Sequence, residues 1–333
     1  MRSSIGCRHS PMIDTATSIA NILFAWTVMF LLLSWMLAGA YSFFSSFFAG
    51  MKVTHAAWLT LAYGLMAPVA ATLTLTILYM PTVAFSLVAD HCHGALCTPH
   101  TLQMTTETIN GMVTVTFIIT ILVSVGTLMV MQSLSGRRRL QTLSDLSEST
   151  SKYYRLVDNP AAVAWCAGLF RPQVFLSSGL VNNLSTRQVQ IILTHELAHA
   201  LRRDNLSKWC LHWATFAWPK SRRQRIRHEF VDYTEQISDL AAAYVHQGKT
   251  DLADLIRLLD SCCASSSKHN NPAVHDHIAK RIIALEHELE RQTGGTATER
   301  ERLFPGYAVA SVWLVLIVMA VHYGHPLLEW LSR

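Results

Sequence analysis

His195 and His199 flank Glu196 in the run Thr194-His195-Glu196-Leu197-Ala198-His199. Four residues apart on an α-helix, two imidazoles leave the same face one turn apart, the placement that two ligands of one tetrahedral zinc need. A glutamate beside the first histidine is the usual general base for the water such a metal activates. The chemistry indicated is hydrolysis, with one Zn2+ per chain as cofactor. Five residues are a modest signal on their own, because a buried helix can carry two hydrogen-bonded histidines without metal. The downstream run Glu235-Gln236-Ile237-Ser238-Asp239 strengthens it. Glu235 on a second helix supplies a third ligand and leaves a fourth position open, as catalytic rather than structural zinc requires. Asp239, one turn further on, suits the acceptor that fixes the tautomer of a ligand histidine. A solvated helix face is the plain alternative for this pair of acids.

These side chains need helices to hold them. Ser185 with Gln188 forms a capping-box pattern at the start of the helix that carries His195 and His199, and Val189-Gln190-Ile191-Ile192-Leu193 is apolar enough to bury it. The chain as a whole is 51% hydrophobic and only 15% charged over 333 residues, which excludes an ordinary soluble enzyme. Uncharged runs predict four transmembrane helices: about 17–40, 56–79 and 110–134, then Tyr307 to Tyr323 with Trp313 and Trp330 as aromatic anchors. The first could also be a signal peptide, given Arg2 and Arg8 before it and Ala38-Gly39-Ala40 at its end; its length favours a retained anchor. The expected division is a membrane domain over 1–134, a cytoplasmic domain over 135–304, and a last span with a short outer tail over 305–333.

Charge sets the orientation. Of 27 Lys and Arg residues, only Arg2, Arg8, Lys52 and Arg333 fall outside 135–304, so that segment is cytoplasmic by the positive-inside rule. The 41–55 loop then also faces the cytoplasm, and the 90–109 loop, with no Lys or Arg, faces outward. The net charge of +5 reflects this topology rather than nucleic-acid binding, and the Lys220–Arg227 cluster fits anionic headgroups or plain solvation. Within the cytoplasmic segment, 141–154 reads as an amphipathic helix. Residues 161–170 and 173–177 read as two strands about an Arg171-Pro172 turn, and 252–263 and 278–289 as further helices.

The run from Gly168 to Leu180, leading into His195-Glu196-Leu197-Ala198-His199-Ala200-Leu201-Arg202-Arg203-Asp204, resembles the membrane metallopeptidases of the BlaR/MecR type. These are bacterial receptors that sense β-lactams and cleave a cytoplasmic repressor. The layout of three spans, zinc domain and one span resembles theirs too. The resemblance implies an α-helical membrane protein with an α+β zincin-like (gluzincin) cytoplasmic metalloprotease domain, in a bacterial inner membrane. It implies zinc on His195, His199 and Glu235, Glu196 as base, Asp239 behind a ligand histidine, and a protein substrate such as a transcriptional repressor. It further suggests that Val174, Phe175, Leu176 and Ser177 form the edge strand on which substrate adds. Arg281 matches an arginine near the site, either paired structurally or touching the oxyanion; His228 and Tyr244 are the other oxyanion candidates. The sequence departs from these receptors after the fourth span, where few residues remain, so sensing through an extracellular penicillin-binding domain is not expected. HtpX-type quality-control proteases share the zinc motif and the downstream glutamate and are the second reading.

The outward loop packs His91, Cys92, His93, Cys97 and His100 together. Cys92 and Cys97 could close a disulfide, or the set could bind copper or zinc as an input signal. A non-catalytic metal-sensing receptor and a metal transporter are the competing classes. The first should have lost a catalytic residue, and the second lacks the intramembrane Asp, Glu or His constellation that a permeation path needs.

Overall fold

The computed structural model describes residues 11–80, 109–149, 151–246, 254, 256–259, 281–287 and 299–331. The chain divides into two compact units. One takes Met1–Gly39, Leu65–Met129 and Tyr307–Arg333; the other takes Ala40–Gly64 and Val130–Gly306. The His/Cys-rich loop expected to face outward, with His91, Cys92, His93, Cys97 and His100, lies outside the described residues.

The apolar runs become long helices: α1 (Pro11–Ala49), α2 (Val53–Leu78) and α3 (Ile109–Asp145). Each contains a stretch long and apolar enough to cross a membrane: Ser18–Ala49, Val53–Leu78 and Gly111–Asp145. Only residues 50–52 lie between α1 and α2, so the expected 41–55 loop is mostly helix. Pro68 sits inside α2, where its missing N–H leaves the Gly64 carbonyl without its usual helical donor. The C-terminal helix, Glu299–Leu331, has a shorter apolar stretch, Ala310–Gly324, below the length of the other three. Within the first unit a Cβ on Gly324 would meet Met29 Cε at 2.8 Å, so the C-terminal helix packs closely on α1.

The second unit holds a small mixed sheet: β1 (Ser147–Glu148), β2 (Arg155–Val157), β3 (Ala164–Ala167) and β4 (Gln173–Ser177). The expected 141–154 helix does not form as its own element. α3 runs on to Asp145 and the chain then enters β1. Arg155 fixes that exit, donating to Ser147 Oγ at 2.6 Å and to the Ser144 carbonyl at 2.6 Å. The strand order is β1-β2-β4-β3, with β2 parallel to β4 and β3 antiparallel to it. The turn between β3 and β4 begins at Gly168, whose φ of +107° favours glycine.

The helices α4 (Ser178–Asn183), α5 (Thr186–Arg202), α6 (Asp204–Ala214) and α7 (Lys220–His246) follow. Ser185 caps α5 through a complete capping box with Gln188. The core joins Val174 and Leu176 of β4, Ile191 and Ile192 of α5, Leu240 and Ala242 of α7, and Val53 at the start of α2. Residues 256–259 and 281–287, parts of the two later expected helices, are helical and contribute Ile256, Leu259 and Leu285 to it.

Candidate metal centre

The apolar side of α5 faces the core and carries His195 and Glu196 with it, both nearly fully buried. α7 packs along α5 and brings Glu235 opposite the two histidines. His195 Nε2 and His199 Nε2 lie 3.3 Å apart, and the Glu235 oxygens lie 3.5 Å from the first and 3.6 Å from the second. Tetrahedral bonds of about 2.0–2.1 Å hold neighbouring ligands roughly 3.3–3.4 Å apart. The two imidazole nitrogens meet that spacing, and the Glu235 carboxylate, with one oxygen near each, is placed to complete a three-residue metal site with a position to spare.

Each histidine turns its other nitrogen to a carboxylate. His195 Nδ1 lies 3.3 Å from Asp239 Oδ1, within ion-pair range though not aligned as a hydrogen bond. Behind Asp239 stands Arg281, which grips both carboxylate oxygens, with Nε at 2.8 Å from Oδ2 and Nη2 at 2.5 Å from Oδ1. Of its two expected roles Arg281 therefore takes the pairing one, buried behind the ligands rather than at an oxyanion. His199 Nδ1 meets Asp204 Oδ2 at 2.7 Å. Arg202 holds Asp204 in turn, and its Nη2 also donates to the Thr234 carbonyl of α7 at 2.9 Å.

Asp204 has no role in the sequence reading, although it closes the Arg202-Arg203-Asp204 run. It reaches His199 because Arg203 ends α5 in the left-handed conformation, φ 53° and ψ 45°, and the chain reverses straight into α6. A non-glycine residue held there costs of order 1 kcal/mol and persists where the surroundings over-determine it. Lys208, also from α6 and also unforeseen, sets its ammonium 3.7 Å from Glu235 Oε1.

The electrostatics follow from these contacts. Burial opposes a charge on His195, but Asp239 and Glu235 outweigh it and raise its pKa to about 9. His199 moves in the same direction against its own burial, through Asp204 and Glu235. Glu235 is held well below the ordinary glutamate range by the two imidazoles, which override the burial that would raise it. On β3, burial pushes the Cys166 thiol up to about 12, helped by the carboxylates of Glu196 and Asp204. A thiol so protonated is no nucleophile.

Three expected contacts fail. Tyr244 lies nine residues beyond Glu235, half a turn round α7, and is exposed on the opposite face. His228 shares the Glu235 stripe but sits two turns back along α7, exposed. Val174, Phe175, Leu176 and Ser177 are not an edge strand: β4 is paired on both sides, to β2 and to β3, and is buried from Val174 onward. Among the described strands the edges are β1 and β3.

Residues 108–231 match the family model of peptidase family M48. The match covers less than half of the chain, includes His195, Glu196 and His199, and stops just short of Glu235. With three apolar helices of membrane-spanning length, it supports a membrane-associated metallopeptidase of zincin type. Neither the curated proteins nor the solved structures contain a match to this chain.

Proposed function

We propose that the protein is a zinc-dependent endopeptidase of a bacterial inner membrane, working on the cytoplasmic side in regulated proteolysis such as the cleavage of a repressor. The observation that carries the reading is the cluster of His195, His199 and Glu235, whose ligand atoms lie within 4.8 Å of one another, with Glu196 buried beside it. His195, His199 and Glu235 would hold the zinc, and Asp239 and Asp204 fix the two imidazoles. Zinc supplies Lewis acidity, which acidifies water and polarises a scissile carbonyl. Glu196 takes the water proton and returns it to the leaving amine. The Lys208 ammonium adds positive charge at the edge of the cluster, where negative charge develops on the substrate.

A protein substrate needs a strand edge, and β3 is the candidate. Ser177 N–H donates to the Val163 carbonyl at 3.0 Å, and antiparallel pairing alternates from there, so Ala164 and Cys166 turn their backbone groups away from β4. Asn205 Nδ2 takes the Cys166 carbonyl at 3.1 Å. Ala164 is fully buried, so it is the half-buried Cys166 whose N–H would receive an added strand. We assign the C-terminal helix as a fourth span. Its apolar stretch is short for a bilayer, but Tyr307 and Tyr323 bracket it at interfacial positions, and Gly324 packs on α1 within the same unit. The Lys and Arg of 135–304 support the cytoplasmic side.

The deciding experiment compares wild type with Glu196→Gln in the same membranes, measuring zinc content and cleavage of a co-expressed repressor. Equal zinc with cleavage by wild type alone supports the proposal. Zinc in both with cleavage of unstable membrane clients but not the repressor moves the role to quality control, which the M48 match accommodates equally. Zinc in neither removes the enzyme reading.

A further inference from the structure

We propose that the second unit carries a binding site for one anionic phospholipid headgroup, distinct from the metal centre. An open cavity of about 780 Å³ lies between the C-terminal part of α3, the β3–β4 turn and α6, a size suited to a small-molecule ligand. Arg137 and Arg171 line it together with Leu140, Leu169 and Phe170, and none of the described lining residues is acidic. The Arg137 guanidinium is stationed there, 5.4 Å from the centre of the Phe170 ring. Positive charge beside apolar wall fits a phosphodiester joined to the start of two acyl chains.

The level along α3 selects a lipid over other anions. Met131 and Leu134 are exposed apolar residues, and Arg137-Arg138-Arg139 follows within one turn. The cavity begins at Gln132 and ends at Gln141, which is where a span that leaves the bilayer meets phosphate. Trp209, a lining residue, and Trp213 both donate their indole N–H to Gln132 Oε1, at 3.2 and 3.0 Å, the interfacial posture of amphipathic rings. The inference requires that α3 crosses a membrane and is independent of peptidase activity.

The full chain, purified in a neutral detergent, would be titrated with dioctanoyl phosphatidylglycerol while thermal unfolding is followed. We expect saturable stabilisation, with little from dioctanoyl phosphatidylcholine. Arg137→Gln/Arg171→Gln should weaken the midpoint at least about tenfold, since each interfacial cation contributes substantially to anionic-lipid affinity. Arg137→Lys/Arg171→Lys should restore most of it, and Arg138→Gln/Arg139→Gln, off the cavity, should leave it unchanged. Equal stabilisation by phosphatidylcholine, or an unchanged midpoint in the Gln pair, overturns the site. An equal effect of inorganic phosphate at matched concentration overturns the lipid in favour of a free anion. Saturable binding of an acidic peptide that phosphatidylglycerol does not displace overturns it in favour of a protein ligand. Should the Gln pair unfold, the Lys pair and retention of phosphatidylglycerol in native mass spectra decide the same question.

Discussion

At the scale of single residues, the carboxylates behind the histidines define the centre as much as the ligands do. Asp204 contacts His199 at 2.7 Å and is itself held by Arg202, so it fixes that ring's orientation and tautomer. Asp204→Asn should therefore lower zinc affinity about 10–100-fold with every ligand intact, as losses behind metal ligands typically do, and competition with a chromophoric chelator would measure it. The same contacts give the metal-free protein a pH signature. His195 rises from its ordinary 6.5 to about 9, so its protonated form stabilises the fold fully below pH 6.5, and that contribution is lost as pH climbs through 9. Glu235 acts oppositely: its depressed pKa contributes above its ordinary 4.5 and is lost as pH falls through the lowered folded value. Denaturant titrations should show metal-free protein weakening from pH 6.5 to 9. Zinc-loaded protein should not weaken there, because its ligand histidines have already given up their protons. A parallel decline in both forms would show that His195 is not the group responsible.

At the scale of elements, what local pattern encodes was legible and what distant pairing decides was not. The i, i+4 histidines, the Ser185–Gln188 capping box and the two strands about Arg171-Pro172 are short-range signals, and each appears, although the strand read over 161–170 shortens to Ala164–Ala167. The inner position of β4 was hidden because it depends on β2, a three-residue strand pairing in parallel across Arg155↔Phe175. Val174-Phe175-Leu176 is an apolar run without alternation, the pattern of a strand covered on both faces, which leaves open whether its edges are paired. Asp204 was missed for another reason. Nothing in the residue types announces that an arginine will adopt the left-handed conformation, yet that one residue separates α5 from α6. The cap itself can be tested. Arg203→Val should cost about 1–2 kcal/mol, since a β-branched side chain fits that region worst, whereas Arg203→Gly should match or exceed wild type. Thermal denaturation of the zinc-free variants would show it. Equal stability of the two would mean that the α5–α6 junction relaxes into another geometry.

At the scale of the whole molecule, the candidate metal centre is not built from residues 135–304 alone. The unit that holds it includes Ala40–Gly64, the end of α1 and the start of α2. Tyr41 donates its hydroxyl to Glu229 on α7, and Arg225 ties Glu229 to Ser45 with contacts of 2.8 and 2.9 Å. The rings of Tyr41 and Tyr63 pack against Trp218, just before α7. Glu229 and Glu235 stand on one helix, which joins the α1–α2 end to the candidate metal centre. α6 is coupled as tightly. At Gly64 the Leu211 side chain packs so closely on α2 that a Cβ would lie 2.2 Å from Leu211 Cδ1, and Leu211 is buried on the same helix as Asp204 and Lys208. Gly64→Leu must displace the buried Leu211 side chain and crowd α2 against α6, at a cost of about 1–3 kcal/mol for overpacking. It should reduce zinc retention and proteolysis together without touching a ligand. Gly126→Leu, on α3 where nothing lies within 4 Å, should leave both unchanged. If Gly64→Leu retained full zinc and full cleavage, α6 would be free to move without the membrane helices. A signal would then need some route to the centre other than the α1–α2 end.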